Sequence, residues 1–186
     1  MDTNEQYNQE AAACRKHFVD KMHDYGTAWR ILRVSSLTDQ IYIKALRIRS
    51  LQEGEARGDH RQIDEGEVPE FIGIINYCIM ATIQLQNPPQ TDDYTLPTEQ
   101  TLQLYDQSLA EAQALMNKKN HDYGEAWRKM RIESITDIIL MKLLRIKQIE
   151  NHAGKTRVSE GLAANYLDMI NYAMFALIKL HEKSNQ

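Results

Sequence analysis

The feature that most constrains this chain is an internal duplication. Residues 17–51 align with residues 115–149 at an offset of 98 without a gap, and seventeen of the 35 positions are identical. Both copies hold His-Asp-Tyr-Gly-x-Ala-Trp-Arg, beginning at His23 and His121. A second block, 65–85 against 160–180, matches at an offset of 95 with eight of 21 positions identical, including Ile-Asn-Tyr at 75–77 and 170–172. The change of offset places a three-residue length difference in the loop between the blocks. Tyr7 and Gln9 fall opposite Tyr105 and Gln107, so the repeat extends upstream into a preceding segment. A module of about 90 residues is therefore written twice.

The copies are separated by a stretch with three of the four prolines, Pro88, Pro89 and Pro97. Proline lacks a backbone donor and stops a helix. The expected organisation is thus repeat one at 1–86, a linker at 87–98 and repeat two at 99–186. Pro69 falls near an expected helix start, where proline is tolerated. Each copy reads as three helices, about 4–22, 36–51 and 68–85 in the first and 99–119, 134–149 and 162–181 in the second. Ser36 and Ser134 are candidate N-caps, with Asp39 and Asp137 three residues on. Gly26 and Gly124 are placed to stop the first helices through a positive φ. No sustained period-2 alternation argues for strands. Three such helices alone leave apolar stripes uncovered, so the two copies are expected to pack as an all-α pseudo-two-fold bundle with one shared core, an intrachain version of a homodimer. Whether a further homodimer forms is left open.

With 42% apolar and 26% charged residues, the composition is that of an ordinary globular chain. A net charge of −4 provides no general field for a nucleic-acid backbone, so no bulk nucleic-acid binding is expected. No apolar run is expected to reach the ~18–20 residues that cross a bilayer. The polar, acidic N-terminus does not resemble a signal peptide. Cys14 and Cys78 lack metal-site spacing and read as reduced packing residues. A cytoplasmic location without membrane contact is the expectation.

Against an apolar background, the second helix of each copy retains an Asp, a Lys and an Arg: Asp39, Lys44 and Arg47, then Asp137, Lys142 and Arg145. At ~100° per residue, Arg47 lies about 80° and Lys44 about 140° from Asp39, so the trio is expected on one arc. Two interpretations are open. The trio is either a structural ion network or a metal carboxylate beside two phosphate-binding cations. Trp29 and Trp127 are either core anchors or, with Tyr25 and Tyr123, platforms for a base, with Arg30 or Arg128 near a phosphate. His23 and His121 read more simply as hydrogen-bonding spacers than as ligands. On the third helix the copies diverge: Glu70-x-x-Gly73-x-x-Asn76-Tyr77 faces Asn165-x-x-Asp168-x-x-Asn171-Tyr172. Glu65 and Glu160 stand at one aligned position just before it.

At these residues the chain resembles the nucleotide modification associated domain 1 family, whose pattern appears as Lys119-Asn120-His121-Asp122-Tyr123-Gly124, then Asp137, Lys142 and Arg145, then Asp168-x-x-Asn171-Tyr172. Copy one departs from it at Met22, in place of Asn, and at Gly73, in place of Asp. More distantly the arrangement is similar to the all-α MazG-like nucleoside triphosphate pyrophosphohydrolases, which hold magnesium on helix-borne acidic pairs. The Glu-x-x-Glu those enzymes carry on the preceding helix is missing here.

What the resemblance implies is a nucleotide-directed protein, a candidate Mg²⁺-dependent pyrophosphohydrolase. Its ligand would be a nucleotide or another phosphate-bearing small molecule. Asp137, Asp168, Glu160 and, across the copies, Glu70 would hold Mg²⁺. Lys142 and Arg145 would neutralise phosphate charge, while Tyr123, Trp127 and Asn171 would contact the nucleotide. Asp39, Lys44, Arg47, Tyr25 and Trp29 would be their copy-one counterparts. Copy two is expected to be the better site, with Asp137, Lys142, Arg145 and Asp168 converging on one cavity. The alternative is a non-catalytic nucleotide-binding or partner-binding scaffold.

Overall fold

In the computed structural model, which describes residues 2–58, 66–90, 92–153, 155 and 161–185, six α-helices follow one another as two sets of three. They are α1 (Thr3–Tyr25), α2 (Val34–Arg57), α3 (Glu67–Gln86), α4 (Thr98–Tyr123), α5 (Ile132–Asn151) and α6 (Leu162–Ser184). A 3-10 turn joins the first two helices of each set, Ala28–Ile31 and Ala126–Lys129. No strand occurs among the described residues.

Local chemistry sets most of the helix ends. Asp2 caps α1 through a reciprocal box: its Oδ1 accepts the Glu5 N–H at 2.8 Å, and the Glu5 carboxylate accepts the Asp2 N–H at 3.0 Å. Gly26 (φ 58°) and Gly124 (φ 60°) end α1 and α4 as expected, in a backbone region that side chains disfavour. The expected N-caps Ser36 and Ser134 lie inside their helices instead, since α2 begins at Val34 and α5 at Ile132. The 3-10 turn delivers the chain two residues early, and Thr38 and Thr136 already bond back to the carbonyls of Val34 and Ile132. At its other end α2 continues to Arg57, beyond the expected stop near 51.

The bundle is organised about α3 and α6, which pack against each other and against the second helix of their own repeat. The first helices α1 and α4 each lie across both α3 and α6, and α2 packs on α5. Pairs of contacts repeat with the copies exchanged. The hydroxyl of Tyr7 donates to Asn171 Oδ1 at 2.9 Å, and that of Tyr105 donates to Asn76 Oδ1 at 2.8 Å. Asn76 in turn donates to the Cys14 carbonyl and Asn171 to that of Ala112. Every member of these relays comes from an aligned pair, so the pseudo-two-fold extends into the buried polar network.

The core is continuous between the repeats, running from Phe71, Ile75 and Ile79 of α3 to Tyr166, Ile170 and Met174 of α6. Burying each such side chain contributes on the order of 1.5–3 kcal/mol. The expectation that no segment is long and apolar enough to cross a membrane needs correction at α3. That helix has 20 residues, and an 18-residue window within it has a mean hydropathy of 1.4 and is 67% buried within the bundle. Its central position accounts for its apolarity.

Candidate functional site

The Asp-Lys-Arg trio of the second helix does not stay together. An arc of about 140° spans more than a third of a helix, and its two ends meet different neighbours. At one end Asp39 faces Lys147 of α5 at 2.9 Å, and its counterpart Asp137 faces Arg49 of α2 at 3.9 Å. These two aspartates are half-exposed parts of the α2–α5 contact. At the other end Lys44 and Arg47 reach Glu70 of α3, at 3.2 and 2.6 Å. In the second repeat Lys142 reaches Asp168 of α6 at 2.7 Å. Arg145 is exposed and has no ion-pair partner among the described residues. The expected convergence of Asp137, Lys142, Arg145 and Asp168 on one cavity is therefore not found; only Lys142 and Asp168 meet.

Asp168 is the centre of the second-repeat cluster. Its Oδ1 accepts from Lys119 at 2.5 Å and its Oδ2 from Lys142 at 2.7 Å, with only 13% of the carboxylate side chain exposed. Glu70 and Asp168 are held by separate cations, each in its own repeat, and share no partner. Glu160, the remaining expected carboxylate, lies outside the described residues. Among the described residues no group of three His, Cys, Asp or Glu side chains gathers as a metal site.

The arginines expected beside a phosphate are committed elsewhere. Arg30 is buried and donates to Gln84 Oε1 at 2.5 Å and to the Asn87 carbonyl at 2.7 Å, and burial lowers its guanidinium pKa. Arg128 bonds Glu125, Glu182, Thr3 and Gln6. These two arginines tie the 3-10 turns to the bundle. Asn171, expected at the nucleotide, is a buried link between Tyr7 and the Ala112 carbonyl. His23 and His121 are exposed and pair with the neighbouring Asp24 and Asp122, at 3.2 Å each.

The aromatic residues distinguish the repeats. In the second, Trp127 is 5% exposed, stacks on Phe175 at 4.2 Å with an interplanar angle of 5°, and carries the Arg128 guanidinium 4.4 Å from its ring centre. With both groups this close and the side chain buried, the indole offers little open surface to a base. Tyr123 is 77% exposed. In the first repeat Met80 stands where Phe175 stands in the second, and Trp29 has Phe18 edge-on at 6.4 Å and the Arg30 guanidinium more distant, 5.8 Å from its ring centre.

There a cavity of about 350 Å³ opens between α1, the 3-10 turn, α2 and α3. Trp29, Tyr25, Phe18 and Tyr77 give it aromatic walls, Lys21 and Lys44 supply ammonium groups, and His17 adds an imidazole. Lys21 has no ion-pair partner among the described residues, whereas its aligned residue Lys119 has Asp168. The imidazole of His17 is held below its ordinary pKa, first by partial burial and then by the ammonium groups of Lys21, Lys44 and Lys16, with Asp20 opposing them. A positive field inside an aromatic-walled cavity suits an anion carrying a planar ring.

This aromatic-walled cavity thus belongs to copy one, which has Gly73 where the second repeat has Asp168 on its third helix. Sequence reasoning missed His17, Lys21, Tyr77 and Met80. A usable signal existed for Lys21, which is identical to Lys119 and sits one turn before the Tyr-Gly stop. The size difference between Met80 and Phe175 acquires meaning only once Trp29 and Trp127 are located.

The family model for nucleotide modification associated domain 1 matches this chain twice, over residues 21–85 and 119–180. Each match runs from the lysine on the first helix to the end of the third. No curated protein and no solved structure matches the chain.

Proposed function

The chain belongs to the nucleotide modification associated domain 1 family, and on that premise we propose that it is a nucleotide-binding protein whose ligand seats in the first-repeat cavity. The observation that carries this reading is the pairing of Lys21, which has no ion-pair partner among the described residues, with the aromatic walls of Trp29, Tyr25 and Tyr77 in one cavity. A volume of about 350 Å³ lies within the range of small-molecule pockets. Trp29 would stack against the base, and Lys21 and Lys44 would meet the phosphates as compact point charges.

The described carboxylates do not suit a resident Mg²⁺. That ion takes near-octahedral oxygen ligands and is held by one or two carboxylates not already neutralised by cations. Here Glu70 meets a lysine and an arginine, Asp168 meets two lysines, and Asp137 lies at the α2–α5 contact. These ion pairs favour a binding role over the pyrophosphohydrolase reading.

A thermal-shift series with the common ribo- and deoxyribonucleoside triphosphates, with and without Mg²⁺, tests the proposal alongside an assay for released pyrophosphate. Expected is stabilisation by at least one nucleotide without a metal requirement and without turnover, lost in Trp29→Ala and in Lys21→Met. If no nucleotide shifts the transition, or the shift survives both substitutions, the proposal fails. Mg²⁺-dependent pyrophosphate release that disappears in Asp168→Asn would replace it with the hydrolase.

A further inference from the structure

Both repeats bring the same two lysines to the same place on the third helix. Lys21 and Lys44 of the first correspond to Lys119 and Lys142 of the second, and the facing positions are Gly73 and Asp168. In the second repeat the Asp168 carboxylate lies between its lysines, one oxygen to each. In the first there is no side chain to do this. A Cβ placed on Gly73 would stand 2.6 Å from Lys44 Cε, 2.7 Å from its Cδ and 3.0 Å from its Nζ. The Lys44 chain therefore crosses the space that the carboxylate stem would need, and its ammonium settles on Glu70, one turn earlier on α3.

We propose that Lys21 and Lys44 above Gly73 form an anion subsite for a phosphate group of the ligand, and that Asp168 fills the equivalent subsite of the second repeat from within. This rests on the nucleotide-binding reading and specifies it: one phosphate-bearing ligand per chain, always in the first repeat. Three further features support the assignment. Lys21, Lys44 and Gly73 all line the cavity, so an external anion reaches the subsite directly. Glu70 also holds Arg47 at 2.6 Å, so Lys44 can swing to a phosphate without leaving a buried carboxylate bare. The ring side of the site follows the charged side, with Trp29 lining the cavity and Trp127 covered by Phe175. One repeat is open at both ends of the ligand and the other is closed at both.

Titration calorimetry on the full chain provides the test, with inorganic pyrophosphate and with the most stabilising nucleoside triphosphate as probes. The wild type is expected to bind one equivalent. Gly73→Asp supplies the internal carboxylate to the first repeat and is expected to weaken both probes at least about tenfold, by like-charge exclusion. The atoms nearest the new Cβ belong to the flexible end of Lys44, and a urea titration checks that the variant folds. Gly73→Asn adds the same bulk without charge and is expected to bind several-fold better than Gly73→Asp. Asp168→Gly is expected to add a second equivalent of pyrophosphate. Two equivalents in the wild type, or unchanged affinity in folded Gly73→Asp, would overturn the subsite while leaving nucleotide binding intact. Equal losses in the Asp and Asn variants would overturn it too, since bulk alone would then explain them. Failure of the wild type to bind any nucleotide would remove both readings together.

Discussion

Replacing Asp168 by Asn separates an internal counterion from a metal ligand. The carboxylate is 13% exposed and Lys142, its partner at 2.7 Å, is 10% exposed, so the variant leaves an ammonium with little water and no opposite charge. Breaking a buried pair at one end costs about 3–5 kcal/mol. The second partner, Lys119, is half-exposed and adds at most about 1 kcal/mol because solvent screens it. Asparagine keeps the shape and one acceptor, which favours the lower end, about 3 kcal/mol. For a chain of this length that corresponds to a loss of roughly 6–12 °C in Tm. Lys142→Met should cost less, because Asp168 retains Lys119 as a partner. The double variant should recover much of the loss, giving a coupling of about 1.5 kcal/mol or more in a urea-denaturation cycle. If Asp168→Asn unfolds within about 0.5 kcal/mol of wild type, the carboxylate is no structural counterion and this reasoning fails.

Tyr7→Phe and Tyr105→Phe each remove a buried hydroxyl from an asparagine relay, and each should cost about 1–2 kcal/mol by urea denaturation, with the two values within about 0.5 kcal/mol of each other. Unequal values would show that the pseudo-two-fold is geometric without being energetic. Trp127→Ala should destabilise the fold by about 3–5 kcal/mol, the cost of removing a buried ring. Trp29→Ala should cost clearly less in the same denaturation assay, because its ring borders an open cavity. His17 has a depressed folded pKa, so its unfolded state binds more protons at acidic pH and its contribution to stability is lost as pH falls from about 6.5 through the folded value. A bound phosphate opposes that depression, so pyrophosphate binding should take up protons in the same window, measurable by calorimetry in buffers of different ionisation heat and absent in His17→Asn. Cys14 is fully buried with its thiol pushed up to about 12 by burial, and Cys78 is shifted the same way. Neither should react with a disulfide reagent until the protein unfolds.

The fold was more legible in the sequence than the site, for a physical reason. The glycine stops, the prolines between the copies and the repeated apolar spacing are local signals, and the six helices they predict are observed, with α2 and α5 starting two residues early and α2 running on to Arg57. The pseudo-two-fold required only that two matching sets of apolar stripes cover each other. Side-chain pairing is a tertiary property and followed different rules. Asp39, Lys44 and Arg47 share an arc on paper, yet the neighbours α5 and α3 draw them apart. Asn171 looked like a ligand contact because a buried amide and an exposed one read alike in sequence. The charged cluster was expected to be best formed where the motif is most complete. A complete motif can also be a self-satisfied one, as Asp168 shows by meeting both lysines itself.

The split of the carboxylates between the copies follows from the same electrostatics. A lysine lying against the third helix needs an opposite charge nearby, or its burial becomes costly. Lys142 finds Asp168 and Lys44 finds Glu70, one turn apart on equivalent helices. Either position satisfies the lysine, so stability alone does not choose between them. The choice decides which other cation is served. A carboxylate at the later position also reaches Lys119. One at the earlier position reaches Arg47 instead, and Lys21 is left facing the cavity. Two separate chains in a symmetric dimer would have to make the same choice at both sites. Joined in one chain the copies can differ, and moving a single acid by one helical turn changes a closed ion cluster into a cavity lined by a lysine with no ion-pair partner among the described residues.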